Sequence, residues 1–248
     1  MFEHYRTRGF VIKKTDRGEA DRLFTVYTED FGKLELIARS ERKIKSKLRV
    51  GLEMFYFSEI EFIQGKAYKT LTDAILINQF PEIKKNLGKW EIASRISVII
   101  DLFIRGQESD PAVWQLLKEV FRSLNDWEAE RTRLKLIYFY FLWNFLSILG
   151  YGLEFYRCIS CRQEVFPENM FLNIREGGVL CLACQKKVKD FKTLDAGSEN
   201  IADLIKILKV FSEEDIEILK NLRVEEGRLK ALQKISHRYL LETLEKTK

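Results

Sequence analysis

The stretch YRCISCRQEVFPENMFLNIREGGVLCLACQ, residues 156–185, holds every cysteine of the chain. Cys158 and Cys161 form one Cys-x-x-Cys pair, and Cys181 and Cys184 form a second. A disulfide scaffold usually packs an even cysteine count into a short, cysteine-dense chain, whereas this chain of 248 residues has only four. The opening MFEHYRTRGF is charged and lacks the apolar run of a secretory signal. A thioredoxin-like motif needs one Cys-x-x-Cys at the head of a helix in a βαβ unit, which two copies in one loop-rich segment do not fit. A metal explains both pairs together. Each pair makes a knuckle presenting two thiolates, and nineteen residues separate the inner cysteines, within the usual spacing of a four-cysteine zinc ribbon. Four protein thiolates leave a tetrahedral ion no open position, so one bound Zn2+ is expected to be structural. MFLNI and GVLCL, joined across REGG, read as a small hairpin whose turn is supplied by Gly177 and Gly178. His4 and His237 lie far away in sequence and are not needed as ligands.

With the cysteines assigned to holding, function must lie elsewhere. The most uneven charge is ARSERKIKSKLRVG, where Arg39, Arg42, Lys43, Lys45, Lys47 and Arg49 face a single acid, Glu41. Closely spaced cations attract phosphates, and release of counterions makes such binding favourable and salt-dependent. Arg8, Lys13, Lys14 and Arg22, with Arg6, are candidates to extend this surface; Arg22 could equally pair with Asp21 or Glu19. Tyr5, Phe31, Tyr56 and Tyr68 are candidates to stack on bases. The net charge of +5 and pI near 8.9 add a mild affinity for polyanions. No Walker-type phosphate loop, HExxH or Gly-x-Ser-x-Gly elbow occurs, so no enzyme activity, catalytic residue or small-molecule substrate is expected.

The elements that must position these residues divide the chain. Residues 1–80 read as five strands, GFVIKK, RLFTVYT, KLELIA, EMFYFSEIEFI and AYKTLTDAILI, separated by glycine-bearing turns. Five short strands suit an oligonucleotide/oligosaccharide-binding (OB) barrel, with an SH3-like barrel as the alternative. The basic run then falls between the third and fourth strands. From Pro81 the period becomes helical, through KWEIASRISVIIDLFIR and DPAVWQLLKEVFRSLND, the latter with Asp110 as N-cap and Pro111 at the first helical position. A third helix runs from about Glu128 to Leu149 and stops at Gly150–Gly152. Its apolar core, LIYFYFLWNFLSIL, is short for a bilayer and carries Asn144 and Ser147, so it reads as a buried helix of a soluble, cytoplasmic protein. Pro167 marks a further boundary. Helices resume after the cysteines, with Ser212 and Asp215 as a capping pair, and the last carries a stripe of Leu229, Leu232, Ile235, Tyr239 and Leu240. The expected fold is α+β: an OB barrel (1–80), a helical domain (81–155), a zinc-ribbon insertion (156–190) and C-terminal helices packing on the helical domain (191–248).

The order of elements resembles the bacterial recombination and repair mediator family RecO. Gly18 to Leu23, Thr25 and Thr28, Phe31 to Lys33 and the basic connection Arg39–Arg49 match its N-terminal pattern. LTDAILI, the stretch before Cys158, the paired Cys-x-x-Cys and the closing RYLLETL extend the likeness over most of the chain. Ser40 stands where the family often has glycine. The resemblance implies a non-enzymatic, nucleoid-associated protein that binds single- and double-stranded DNA and anneals complementary strands. It also implies work with RecR and single-stranded-DNA-binding protein to load the recombinase RecA at gaps. The residues alone also allow an RNA-binding or ribosome-associated zinc-ribbon protein, or a protein-interaction scaffold.

Overall fold

The computed structural model describes residues 3–43, 46–65, 68–166, 170–187 and 197–247, without the side chains of 197–200. The chain forms two compact units, Met1–Ala129 and Glu130–Lys248. The division falls inside the stretch assigned above to one helical domain. Lys45 and Pro167 lie outside the described residues.

The first unit opens with a closed barrel. Strands β1 (His4–Arg17), β2 (Asp21–Thr28), β3 (Gly32–Ala38), β4 (Phe57–Gln64) and β5 (Lys69–Asn78) run in the order β1-β2-β3-β5-β4, and β4 returns to pair with β1. Only the β3–β5 pair is parallel. Alternation along the strands buries Val11, Phe24, Val26, Leu34, Leu36, Ile60, Phe62 and Leu71 inside. This is the OB arrangement rather than the SH3-like one. The fourth strand starts at Phe57, later than EMFYF implied, because a one-turn helix α1 (Leu48–Gly51) and a turn precede it. Gly51 presses against β5: a Cβ there would stand 2.3 Å from the Ala74 carbonyl oxygen. The end of the basic run is thereby seated directly on the barrel.

Helices α2 (Pro81–Lys85), α3 (Leu87–Phe103) and α4 (Pro111–Asp126) belong to the same unit. Asp110 caps α4 by accepting from the Ala112 and Val113 amides, with Pro111 at its first position. An aromatic cluster joins these helices to the barrel. The Phe10 ring lies 4.8 Å from Phe57, 5.3 Å from Trp114 and 5.1 Å from Phe121, and Phe55 lies 4.6 Å from Trp90. Such rings combine large apolar burial with specific edge and offset contacts, which fixes one docking of helix on sheet. A polar tie reinforces it. Asp101 of α3 accepts from Lys13 Nζ of β1 at 2.8 Å and from Lys33 Nζ of β3 at 3.1 Å.

In the second unit, α5 (Arg131–Leu146) continues through a π-helical turn (Ser147–Tyr151) in which Gly150 adopts φ 88°. The combined helix of 21 residues is long and apolar enough to cross a bilayer by length and composition, longer than the apolar core implied. Its side chains are nevertheless occupied by protein. Against α7 (Gly197–Glu213) and α8 (Glu226–Lys246), Asn144 Nδ2 donates to the Phe211 carbonyl at 2.9 Å and Trp143 Nε1 to Ser236 Oγ at 2.8 Å. Trp143 stacks on Tyr239 at 4.2 Å, and the Tyr239 hydroxyl donates to the Tyr151 carbonyl at 2.7 Å. In the stripe of α8, Leu229, Leu232, Ile235 and Tyr239 are buried and Leu240 is half-buried. The Ser212–Asp215 capping pair does not form. Asp215 alone caps a short 3₁₀ turn (Ile216–Lys220), and Ser212 instead donates back to the Lys209 carbonyl.

The Asp101 tie makes a pH-dependent prediction. Burial raises the Asp101 carboxyl, but hydrogen bonds from Lys13 and Lys33 outweigh it and hold the group below its ordinary range. A depressed folded-state value contributes stability that is complete above the unfolded value of about 4 and is lost as pH falls through the folded value. Asp101→Asn should therefore cost about 1–2 kcal/mol at neutral pH by denaturant unfolding. The gap to the unsubstituted chain should close as pH falls below about 4; a gap that persists unchanged at acid pH would contradict the ionic account.

Candidate nucleic-acid interface and metal centre

The basic run begins where β3 ends and folds back on the β1–β2 hairpin. The Arg42 amide donates to the Ala20 carbonyl at 3.0 Å, and its guanidinium donates to the Gly18 carbonyl at 3.2 Å. The Ser40 amide donates to Asp21 Oδ1 at 2.7 Å. Ser40 takes φ 54°, the left-handed region that glycine enters freely and a side chain enters at a cost. Beneath the turn Glu41 is buried, with only 1% of its surface exposed, and its carboxylate stands 3.1 Å from Arg22 Nη1. Arg22 Nε also donates to Asp16 at 2.8 Å, which raises the guanidinium pKa and lowers that of Asp16. Arg22 is thus a structural cation, and its partners are Asp16 and Glu41 rather than Asp21 or Glu19.

The remaining candidates separate into two groups. Arg8 pairs with Glu29 at 2.7 Å, Lys13 with Asp101, and Lys14 with Glu53. Arg6 pairs with Glu59 and Glu61 across the β1–β4 ladder. These cations are matched by acids of the same unit, Asp101 of α3 among them. Arg39, Lys43, Lys47 and Arg49 are exposed and show no ion pair among the described residues, while Arg42 has only a 3.7 Å contact with Asp16. Among the sequence-predicted cations that are described, those without an internal carboxylate partner therefore lie on residues 39–49. Of the four aromatics, Tyr5 packs on Phe62 and Phe31 at 5.3 and 5.8 Å, and Phe31 itself packs against the barrel core. Lys84 covers Tyr56 at 3.7 Å. Tyr68 is exposed, with the Arg17 guanidinium 4.2 Å from its ring centre. Arg17 was not singled out by the sequence, because residues 51 positions apart meet only once the barrel closes.

In the second unit, β6 (Met170–Asn173) and β7 (Gly178–Cys181) form the hairpin, and α6 (Leu182–Gln185) carries Cys184. Gly177 makes the turn with φ 86°, whereas Gly178 already belongs to β7. Gly178 serves close packing instead, since a Cβ there would stand 2.6 Å from the Glu154 carbonyl oxygen. In the first knuckle the Cys158 amide donates to the Gln163 carbonyl, and the Arg162 amide to the Cys158 carbonyl, both at 2.8 Å. The four Sγ atoms all lie within 4.8 Å of one another, with Cys161 and Cys181 Sγ 3.8 Å apart. Metal–sulfur bonds of about 2.3 Å require tetrahedron edges of about 3.8 Å, so the thiol set fits one ion. No disulfide joins any of the four. Burial pushes the Cys158 thiol up, but amides of Cys161, Cys181 and Ser160 outweigh it and bring it down to about 6. At Cys161 the Gln163 amide acts downward, but burial and the three neighbouring thiols prevail and raise it to about 11. Four such thiols repel as anions, and a divalent cation removes that repulsion.

Residues 1–80 match the family model described as recombination protein O N terminal, and residues 85–248 match recombination protein O C terminal. Among curated relatives, the DNA repair protein RecO of Dehalococcoides mccartyi strain 195 is 29% identical over 229 residues, covering 92% of this chain and 86% of the relative. The DNA repair protein RecO of Acetivibrio thermocellus is 28% identical over 243 residues, covering 98% and 93%. That of Halalkalibacterium halodurans is 25% identical over 236 residues, covering 95% and 88%. The chain belongs to the RecO family.

Two outcomes follow from this geometry. Ser40→Gly should stabilise the chain by about 1 kcal/mol, since the αL penalty of a side chain disappears; a loss of stability on thermal unfolding would contradict the reading. Purified protein should carry one thiolate-bound ion per chain if the four Sγ atoms ligate together, as the geometry implies. Cys158→Ser should release it and lower the melting temperature by roughly 5–10 °C. A metal-free wild type of unchanged stability would contradict the site.

Proposed function

We propose that this chain is a DNA repair and recombination mediator that binds DNA through the cations of residues 39–49. The reading rests on one observation above others: Arg39, Lys43, Lys47 and Arg49 show no ion pair among the described residues, on a loop fastened to the barrel, while Arg8, Lys13, Lys14 and Arg22 are matched by acids. Such a loop meets phosphates and carries no base-reading geometry, so binding is independent of sequence and weakens steeply with salt. Arg8, Lys13, Lys14 and Arg22 contribute less than the loop, because their charge is already balanced.

Annealing follows from the same electrostatics. Two complementary strands repel through their phosphates, and a backbone-directed cationic surface screens that repulsion while leaving base edges free to pair. No covalent step is required, so the protein acts without catalysis. In this reading it binds single- and double-stranded DNA in the cytoplasm at the nucleoid. It works with RecR and single-stranded-DNA-binding protein to bring the RecA recombinase to gaps. The bound metal is zinc, which a closed set of four thiolates suits, and its part is to hold the knuckles of the second unit together.

The test is a salt series of oligonucleotide binding. Each phosphate contact to single-stranded DNA contributes about −0.7 to the slope of log affinity against log salt. Replacing Lys43, Lys47 and Arg49 together by Gln should flatten the slope by about 2 and slow strand annealing. Unchanged affinity and slope would remove the interface from this loop, and a marked preference for RNA in direct competition would favour a ribosomal or RNA-binding role instead.

A further inference from the structure

An exposed aromatic ring at the meeting point of two hairpin ends is the barrel feature that phosphate binding leaves unexplained. Among the described residues of the barrel, Tyr68 is the aromatic ring left exposed, at 46% of its surface. It stands at the end of the β4–β5 hairpin, where the Gly65 amide donates to its carbonyl at 3.1 Å. The next residue, Lys69, opens β5 and pairs with Gln64 of β4 and Leu36 of β3, which holds the backbone beside the ring. Arg17, at the end of β1, lays its guanidinium 4.2 Å from the ring centre. This arginine makes no ion pair among the described residues, since neighbouring Asp16 is taken by Arg22 and Arg42. The guanidinium covers one face of the ring, and the residue stays 46% exposed beside it.

The position relative to the cationic loop matters as much. Arg42 is hydrogen-bonded to Gly18 and Ala20, so the loop is fastened to the same hairpin end that carries Arg17. Phosphates bound by residues 39–49 are brought to the hairpin that holds the Arg17–Tyr68 pair. Every nucleobase has a π face that stacks on an aromatic ring or a guanidinium, whatever the sequence. In a duplex those faces are already covered by neighbouring base pairs. We propose that Tyr68, steadied by Arg17, stacks on an unpaired base of a strand whose phosphates follow the loop, and that this contact favours single strands over duplex. The assignment rests on the DNA-binding reading above and deepens it.

Fluorescence anisotropy with the full chain at fixed salt tests the contact, using an oligo-dT, an abasic oligomer of equal length and a duplex. Tyr68→Ala should weaken oligo-dT binding about tenfold, the loss of one stacked base, and leave the abasic and duplex ligands within about twofold. Tyr68→Phe keeps the ring face and should bind all three as the unsubstituted chain does. Unchanged oligo-dT binding by Tyr68→Ala overturns the stacking contact, as does an equal loss on the oligo-dT and abasic ligands. If the unsubstituted chain binds none of the three ligands even at low salt, the DNA-binding reading itself falls, and the stacking assignment with it.

Discussion

A carboxylate buried as deeply as Glu41 must be met by a cation, and the N-terminal unit is arranged around that requirement. Removing one ion from water costs several kcal/mol, so a carboxylate in this position calls for an opposite charge beside it. Arg22 Nη1 stands 3.1 Å from Glu41 Oε2 as an ion-pair partner, without hydrogen-bond geometry to that buried oxygen, and Asp16 accepts from the other side of Arg22. The three side chains lock the turn after β3 to the β1–β2 hairpin, and the Ser40 amide bonded to Asp21 completes the attachment. With Glu41 turned inward, the single acid of the basic run is withdrawn from its surface. What remains outside is almost wholly cationic. The device that fastens the loop is thus also the device that concentrates its charge.

The rest of the barrel follows the opposite rule. Arg6, Arg8, Lys13, Lys14 and Lys33 each face a carboxylate of the same unit. Exposed pairs of this kind add little stability individually, but together they flatten the potential over most of the surface. The second unit is stabilised differently. Its long apolar helix is satisfied by aromatic packing and by Trp143, Asn144 and Tyr239 reaching specific partners, and its cysteine knuckles draw together four thiols that a single cation reconciles.

Much of this was legible in the sequence where the signal is local. Strand alternation, Asp110–Pro111 at the head of α4, the two Cys-x-x-Cys pairs and the Gly177 turn are each contained within a few residues, and the structure bears them out. Non-local pairing was not legible. That Arg22 belongs to Glu41, that Arg6 faces Glu61 and that Arg17 covers Tyr68 depends on strand register and barrel closure. The one-turn helix Leu48–Gly51 was hidden by the charge run that precedes it, and the close approach of Gly51 to Ala74 joins residues far apart in sequence. At Ser212 and Asp215 the spacing rule misled, because the chain there tightens into a 3₁₀ turn for which one carboxylate suffices.

The proposed polyanion contact centres on the cations that lack internal partners. Lysine acetylation footprinting by mass spectrometry, with and without saturating single-stranded oligonucleotide, tests it most directly. Lys43 and Lys47 should become strongly protected, while Lys13, Lys14 and Lys33 react equally in both samples. Protection of Lys13 and Lys14 with Lys43 and Lys47 left unchanged would contradict the account.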